Sequence, residues 1–144
     1  MGKGWRLKTI LTDEECDAVI ASLSGVWGQG WQFGSQFGEP EVQGFDKEKL
    51  LELLGDKWFV DNLKKRGVKH VFELERKMPS DLQPSIVGSP EDMRSLSVAD
   101  DVVWTSAPFD WVVQIADHEV VNVGGWMLMA LKSALPNWEE HQCW

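Results

Sequence analysis

Apolar positions recur at helical spacing first over 13–24. Cys16, Val19, Ile20 and Leu23 fall at i, i+3, i+4 and i+7, which places them on one face of an α-helix. Thr12 followed three residues later by Glu15 is a capping-box start, and Gly25 supplies a stop. Ahead of this helix Trp5, Leu7, Thr9 and Leu11 alternate in the manner of a short edge strand. After it, 25–45 interleaves glycines with Trp27, Trp31, Phe33 and Phe37, a pattern that reads as a strand or hairpin with irregular loops.

Two further helices follow. Asp46 stands at the N-cap of one that carries Leu50, Leu51, Leu53 and Leu54 and is stopped by Gly55. The second starts near Asp56, carries Trp58, Phe59 and Leu63, and ends in Lys64-Lys65-Arg66-Gly67. Cations in a last turn followed by glycine complement the helix dipole, so this basic run is explained without a ligand. Over 68–77, Val68, His70, Phe72 and Leu74 share one face and Lys69, Val71, Glu73 and Glu75 largely the other. That alternation predicts a half-buried strand with His70 hydrogen-bonded in or near the core. From 78 to 101, Pro79, Pro84, Pro90, Gly88 and several serines predict a long surface loop, with at most a short helix opening at Ser89-Pro90-Glu91-Asp92.

The last third predicts strands over 102–106, 110–116 and 119–123. Trp111, Val113 and Ile115 share a face, and a helix over 126–135 is ended by Pro136. Strands joined by short turns give an α+β fold: a mainly antiparallel sheet with helices packed on one face, in a single domain over 1–144 whose loop-rich part lies at about 78–101.

Composition adds two facts to this pattern. The first is nine tryptophans and no tyrosine. The tryptophans are spread over the whole length and cannot share one site, so most are expected in the core, with one or two left to anchor a partner. The second is the placement of charge. Residues 1–79 carry 12 basic and 13 acidic groups, whereas 80–144 carry 2 basic and 10 acidic groups, a net of −8 out of −9. Such a surface repels nucleic-acid phosphates and attracts a basic protein partner. Asp92, Asp100, Asp101, Asp110 and Asp117, with Trp104 as an anchor, are the expected contact residues. Two cysteines are too few for a disulfide framework, no apolar signal core opens the chain, and the apolar uncharged run 120–131 is short of a membrane span. A cytoplasmic, reduced protein without a membrane segment is expected.

Candidate chemistry is sparse. Gly28, Gly30 and Gly34 miss the dinucleotide fingerprint by one residue and follow a helix rather than a strand. An aromatic platform built on Trp27, Trp31, Phe33 and Phe37 competes with plain core packing. Glu139, Glu140, His141 and Cys143 offer ligand types at the chain end without the spacing of a metal site. No cofactor or metal is implied. The one suggestive cluster is His118 between Asp117 and Glu119, with Asp110 nearby, where an imidazole oriented by a carboxylate could act as a general acid or base. No nucleophile accompanies it. Two functional classes follow: a small acidic module that docks on a basic partner, as an inhibitor or immunity protein of a nucleic-acid-cleaving toxin would, and a small enzyme or ligand-binding protein centred on His118.

Overall fold

The first helix starts where its capping box sets it. In the computed structural model, which describes residues 9–27, 42–75, 86–116 and 119–141, the Thr12 N–H donates to Glu15 Oε1 at 2.9 Å and the Glu15 N–H to Thr12 Oγ1 at 3.1 Å. Helix α1 (Asp13–Trp27) runs through Gly25 rather than stopping there. Glycine in a helix interior costs about 1 kcal/mol. Trp27 outweighs that: it is 4% exposed, and its Nε1–H donates to the Phe109 carbonyl at 3.1 Å, where burying a side chain of this size is worth about 2–3 kcal/mol.

Strand β1 (Thr9–Ile10) precedes α1, and β2 (Val42–Asp46) leads directly into α2 (Lys47–Leu54), which Gly55 closes by donating its N–H to the Leu51 carbonyl at 3.1 Å. Helix α3 (Trp58–Lys65) ends in the expected lysines. The next strand, β3 (Val71–Glu75), is shorter than the alternation over 68–77 implied. Residues after α3 complete its C-terminus first, with Gly67 N–H bonded to the Lys64 carbonyl and Val68 N–H to the Leu63 carbonyl, both at 3.0 Å. His70 therefore sits ahead of the ladder and is exposed, which corrects its expected place in or near the core.

The stretch expected as loop contains β4 (Ile86–Gly88) and a 3₁₀ turn (Pro90–Asp92). The chain continues through β5 (Val102–Thr105), β6 (Trp111–Ala116), β7 (Val120–Gly125) and α4 (Trp126–Ala134) to a 3₁₀ turn at Trp138–His141. Among the described residues the strands form one sheet in the order β1-β4-β3-β5-β6-β7-β2, antiparallel at every pairing. The protein is thus α+β, as its pattern of elements predicts.

Each face of the sheet has its own core. On one face, Phe45, Val102, Trp104, Trp111, Val113, Ile115, Val121 and Val123 pack under Leu50 of α2, Phe59 and Leu63 of α3, and Leu128 and Leu131 of α4. Those three helices form the expected one-sided layer. On the reverse face α1 lays Val19, Leu23 and Trp27 against Val42, Leu74, Val103 and Val112. A Cβ at Gly124 would come within 2.8 Å of Trp27 Cζ3, so the bare backbone there is what lets the indole pack closely against the sheet. Trp27, Trp104 and Trp111 are buried, and Trp58, Trp126 and Trp138 are packed half-buried against the larger core. Trp5, Trp31 and Trp144 lie outside the described residues. Among the described residues no helix is long and apolar enough to cross a membrane.

Candidate functional site

Strand direction decides which charges meet. Strand β2 ends at Asp46, β7 begins just after Glu119, and β5 begins just after Asp100 and Asp101. The register pairs Asp46 with Val120, Val120 with Ala116, and Val102 with Ile115, which brings all these termini to one end of the sheet. Adjacent strands lie about 4.8 Å apart, so Asp46, Glu119, Asp100 and Asp101 border a single region. Helix α2 starts at the same end and adds Glu48, Glu52 and the lysines 47 and 49. Asp56 and Lys57 lie at the turn between α2 and α3. Among these named, described residues carboxylates outnumber amines by seven to three.

One of those amines points inward. Lys47 is 4% exposed, its backbone N–H donates to the Glu119 carbonyl at 2.9 Å, and its Nζ donates to the Ala99 carbonyl at 2.7 Å. Burial lowers its pKa, while the carboxylates of Asp100 and Asp56 act to raise it; burial prevails. Lys47 is an internal strut between α2 and the segment that precedes β5, and it leaves the carboxylates to set the sign of the surface. Lys49 is taken up by Glu52 at 3.7 Å along the same helix.

Asp56 pins the same segment from the other side. It accepts from the Ser97 N–H at 2.7 Å and the Ser97 hydroxyl at 2.9 Å. Burial alone would raise its pKa, but these bonds, with help from the Ser95 hydroxyl and the Lys57 charge, hold it below the ordinary value of 3.8. The carboxylate therefore stays ionised where it is.

The expected contact residues divide in this frame. Asp100 and Asp101, both half-buried, and the exposed Glu119 stand at the acidic end; Asp101 does so in a left-handed conformation, φ 51°. Asp92 does not join them. Its carboxylate closes a capping box on the 3₁₀ turn, accepting from the Ser89 N–H at 2.9 Å and the Ser89 hydroxyl at 3.1 Å. Asp110 is exposed but precedes β6, whereas Glu119 follows that strand's far end. Six residues of strand put them roughly 20 Å apart, so Asp110 cannot share a hydrogen-bonded cluster with Glu119. Asp117 and His118 lie outside the described residues, as do Asp81, Cys143 and the stretch 28–41 with its glycines and aromatics.

Trp104 is no anchor for a partner. It is 1% exposed, packs beside Phe59, and donates its Nε1–H to Glu73 Oε2 at 2.8 Å. Glu73, expected on the polar face of its strand, is 2% exposed, and also accepts from the Arg94 N–H at 3.2 Å with Arg94 Nε 3.7 Å from its other oxygen. The burial of Glu73 and of Lys47 has no signal in the sequence, since each depends on which distant segment covers it. Among the described residues no group of three His, Cys, Asp or Glu side chains is placed to hold a metal ion.

No protein-family model, curated protein or solved structure matches the chain, so its function has to be argued from its own side chains.

Proposed function

We propose that the protein is a small acidic cytoplasmic module that docks on a basic protein partner through the carboxylate-rich end of its sheet, as an inhibitor or immunity-type protein does for a nucleic-acid-cleaving toxin. The observation that carries this reading is topological. Antiparallel pairing gathers Asp46, Asp100, Asp101 and Glu119 at one end, Glu48 joins them from the first turn of α2, and of the amines there Lys47 is turned into the protein while Lys49 pairs with Glu52.

A field of one sign speeds encounter with an oppositely charged partner and repels partners of like charge. A surface built to bind phosphates is basic and fits such a field, whereas nucleic acid itself is repelled. The connection to toxins is an analogy of charge balance.

Affinity capture from native extract, at low and then moderate salt, tests the reading when repeated with Glu48→Lys/Glu119→Lys. Both side chains are exposed, so reversing them changes the field without disturbing the core. A basic protein retained by the wild type, released as salt rises and lost with the double reversal is the expected result. Retention of nothing basic, or retention indifferent to both salt and reversal, sinks the proposal.

A further inference from the structure

At the opposite end of the sheet, which also carries the exposed Asp110, one cleft is lined by cations. Where α3 has closed and β3 has not yet begun, Arg66, Lys69 and His70 are exposed, and with Val68, Phe72 and Ala107 they line an open cleft of about 350 Å³. Among the described residues no carboxylate lines it. Nearby Lys64 is neutralised by Glu91 at 3.1 Å, but among the described residues no carboxylate pairs with Lys69 or His70. Arg66 is held with its Cζ 4.3 Å from the centre of the Trp126 ring, an arrangement that positions a guanidinium while leaving in-plane N–H donors for another acceptor.

The apolar side of the cleft is equally fixed. Phe72 stacks on Phe109 with ring centroids 6.2 Å apart and planes 7° from parallel, and the Phe109 carbonyl is tied to the Trp27 indole. Phe72 therefore presents a wall that is already in place before any ligand arrives. A volume near the lower limit of small-molecule sites, about 300 Å³, suits a ligand of one or two rings.

We propose that this cleft binds a small aromatic oxyanion, a phosphate or carboxylate carried on a flat ring, with Arg66, Lys69 and His70 holding the anion and Val68, Phe72 and Ala107 covering the ring. Electrostatic opposition is modest. The C-terminus of α3 contributes a partial negative charge of about half a unit, and two of its carbonyls, those of Leu63 and Lys64, already accept from Val68 and Gly67. Arg66 and Lys69 alone outweigh it. Size also favours a small anion over a nucleic acid. Screening over about 8 Å at physiological salt lets a small anion see the local cations alone, whereas a polyanion long enough to cross the protein meets a chain of net charge −9. The proposal is independent of the acidic end and of any protein partner.

Amide chemical-shift titration of the whole chain with phenyl phosphate, benzoate and inorganic phosphate tests it. Saturable shifts at Gly67, Lys69, His70 and Phe72 with phenyl phosphate or benzoate are expected, and the tighter of the two identifies the oxyanion. Inorganic phosphate is expected to bind the same amides at least tenfold more weakly, because it leaves the apolar wall unused. Lys69→Glu is expected to weaken the aromatic ligand about tenfold or more, and His70→Glu to act likewise. Both positions are exposed, so an unchanged circular dichroism spectrum and unfolding midpoint accompany the loss. The proposal is overturned by the absence of saturation with both aromatic anions, by inorganic phosphate binding as tightly as they do, or by folded Lys69→Glu and His70→Glu variants that bind as the wild type does.

Discussion

Trp104 and Glu73 stand directly opposite each other on β5 and β3, and the indole Nε1–H donates to the buried carboxylate at 2.8 Å. A carboxylate taken out of water needs every donor it has. Trp104→Phe removes one donor and part of the ring, so a loss of about 2–3 kcal/mol is expected in urea unfolding. Glu73→Gln keeps an oxygen to accept from the indole and loses the ion pair with Arg94. The double variant should lose less than the sum of the two, by about 1 kcal/mol, since the charge that Trp104→Phe leaves short of a donor is the one that Glu73→Gln removes. Strict additivity would show that the indole and the carboxylate do not depend on one another.

Gly125 joins β7 to α4 with φ 78°, and a Cβ there would run into the Asp110 carbonyl oxygen and approach Trp111 Cα to 2.7 Å. Both obstacles are backbone, at the first residue of β6 and the one before it, and the Trp126 N–H donates to that same Asp110 carbonyl at 3.3 Å. Gly125→Ala is therefore expected to cost several kcal/mol, more than backbone strain of about 1–3 kcal/mol alone. Gly25→Ala is the control. A Cβ at Gly25 meets nothing within 4 Å, and in mid-helix the change should stabilise by up to about 1 kcal/mol. Thermal unfolding of both variants checks the pair of opposite signs.

Local chemistry was legible in the sequence and long-range covering was not. Thr12 and Glu15 announce the start of α1 because the capping box closes within three residues, but the end of that helix depends on Phe109, 82 residues away from Trp27. Strand β3 reads as alternating because an alternating strand has one wet face; here Val71 and Glu73 face the larger core and Leu74 the smaller one. Strand β4 is three residues long and pairs with β1 and β3, so nothing within it marks it as a strand. The acidic surface was legible as a sign and not as a place. Charge counted along the chain selected Asp92 and Asp110, which the fold spends on a turn and on the far end of β6, while strand order brought in Asp46 and Glu48 from the nearly neutral half.

Asp56 titrates below its ordinary value, so its contribution to stability is fully present above pH 3.8 and is lost as pH falls through the lower folded value. Asp56→Asn keeps one oxygen for the Ser97 N–H but loses the charge and the second acceptor oxygen. A loss of about 1 kcal/mol is expected at neutral pH. The gap between wild type and variant should then close as the solution is acidified below 3.8, which urea midpoints at a series of acid pH values would follow. A gap that stays constant into strong acid would mean that the serine bonds do not favour the ionised form.

Lys47 gives a pH dependence of the opposite kind. Burial lowers the pKa of its amine below the ordinary 10.5, against the pull of Asp100 and Asp56, so the unfolded chain holds this proton more tightly than the folded one does. Between the lowered folded value and 10.5 the unfolded state binds more protons, and stability rises with pH across that window. Below the folded value the amine is charged in both states and the full desolvation cost is present. Lys47→Met removes the titration and also the Nζ bond to the Ala99 carbonyl, a charge-assisted bond worth about 1–3 kcal/mol while the amine is protonated. Comparing the two proteins cancels every other titrating group. Wild-type stability measured against Lys47→Met should therefore climb as pH is raised from neutrality toward 10.5, and a flat difference would show that the amine is solvated in the folded state. The same variant probes the acidic end. With the buried cation gone, Asp56 and Asp100 face no internal positive charge from α2, the local field becomes more negative by one unit, and a basic partner should associate faster at low salt.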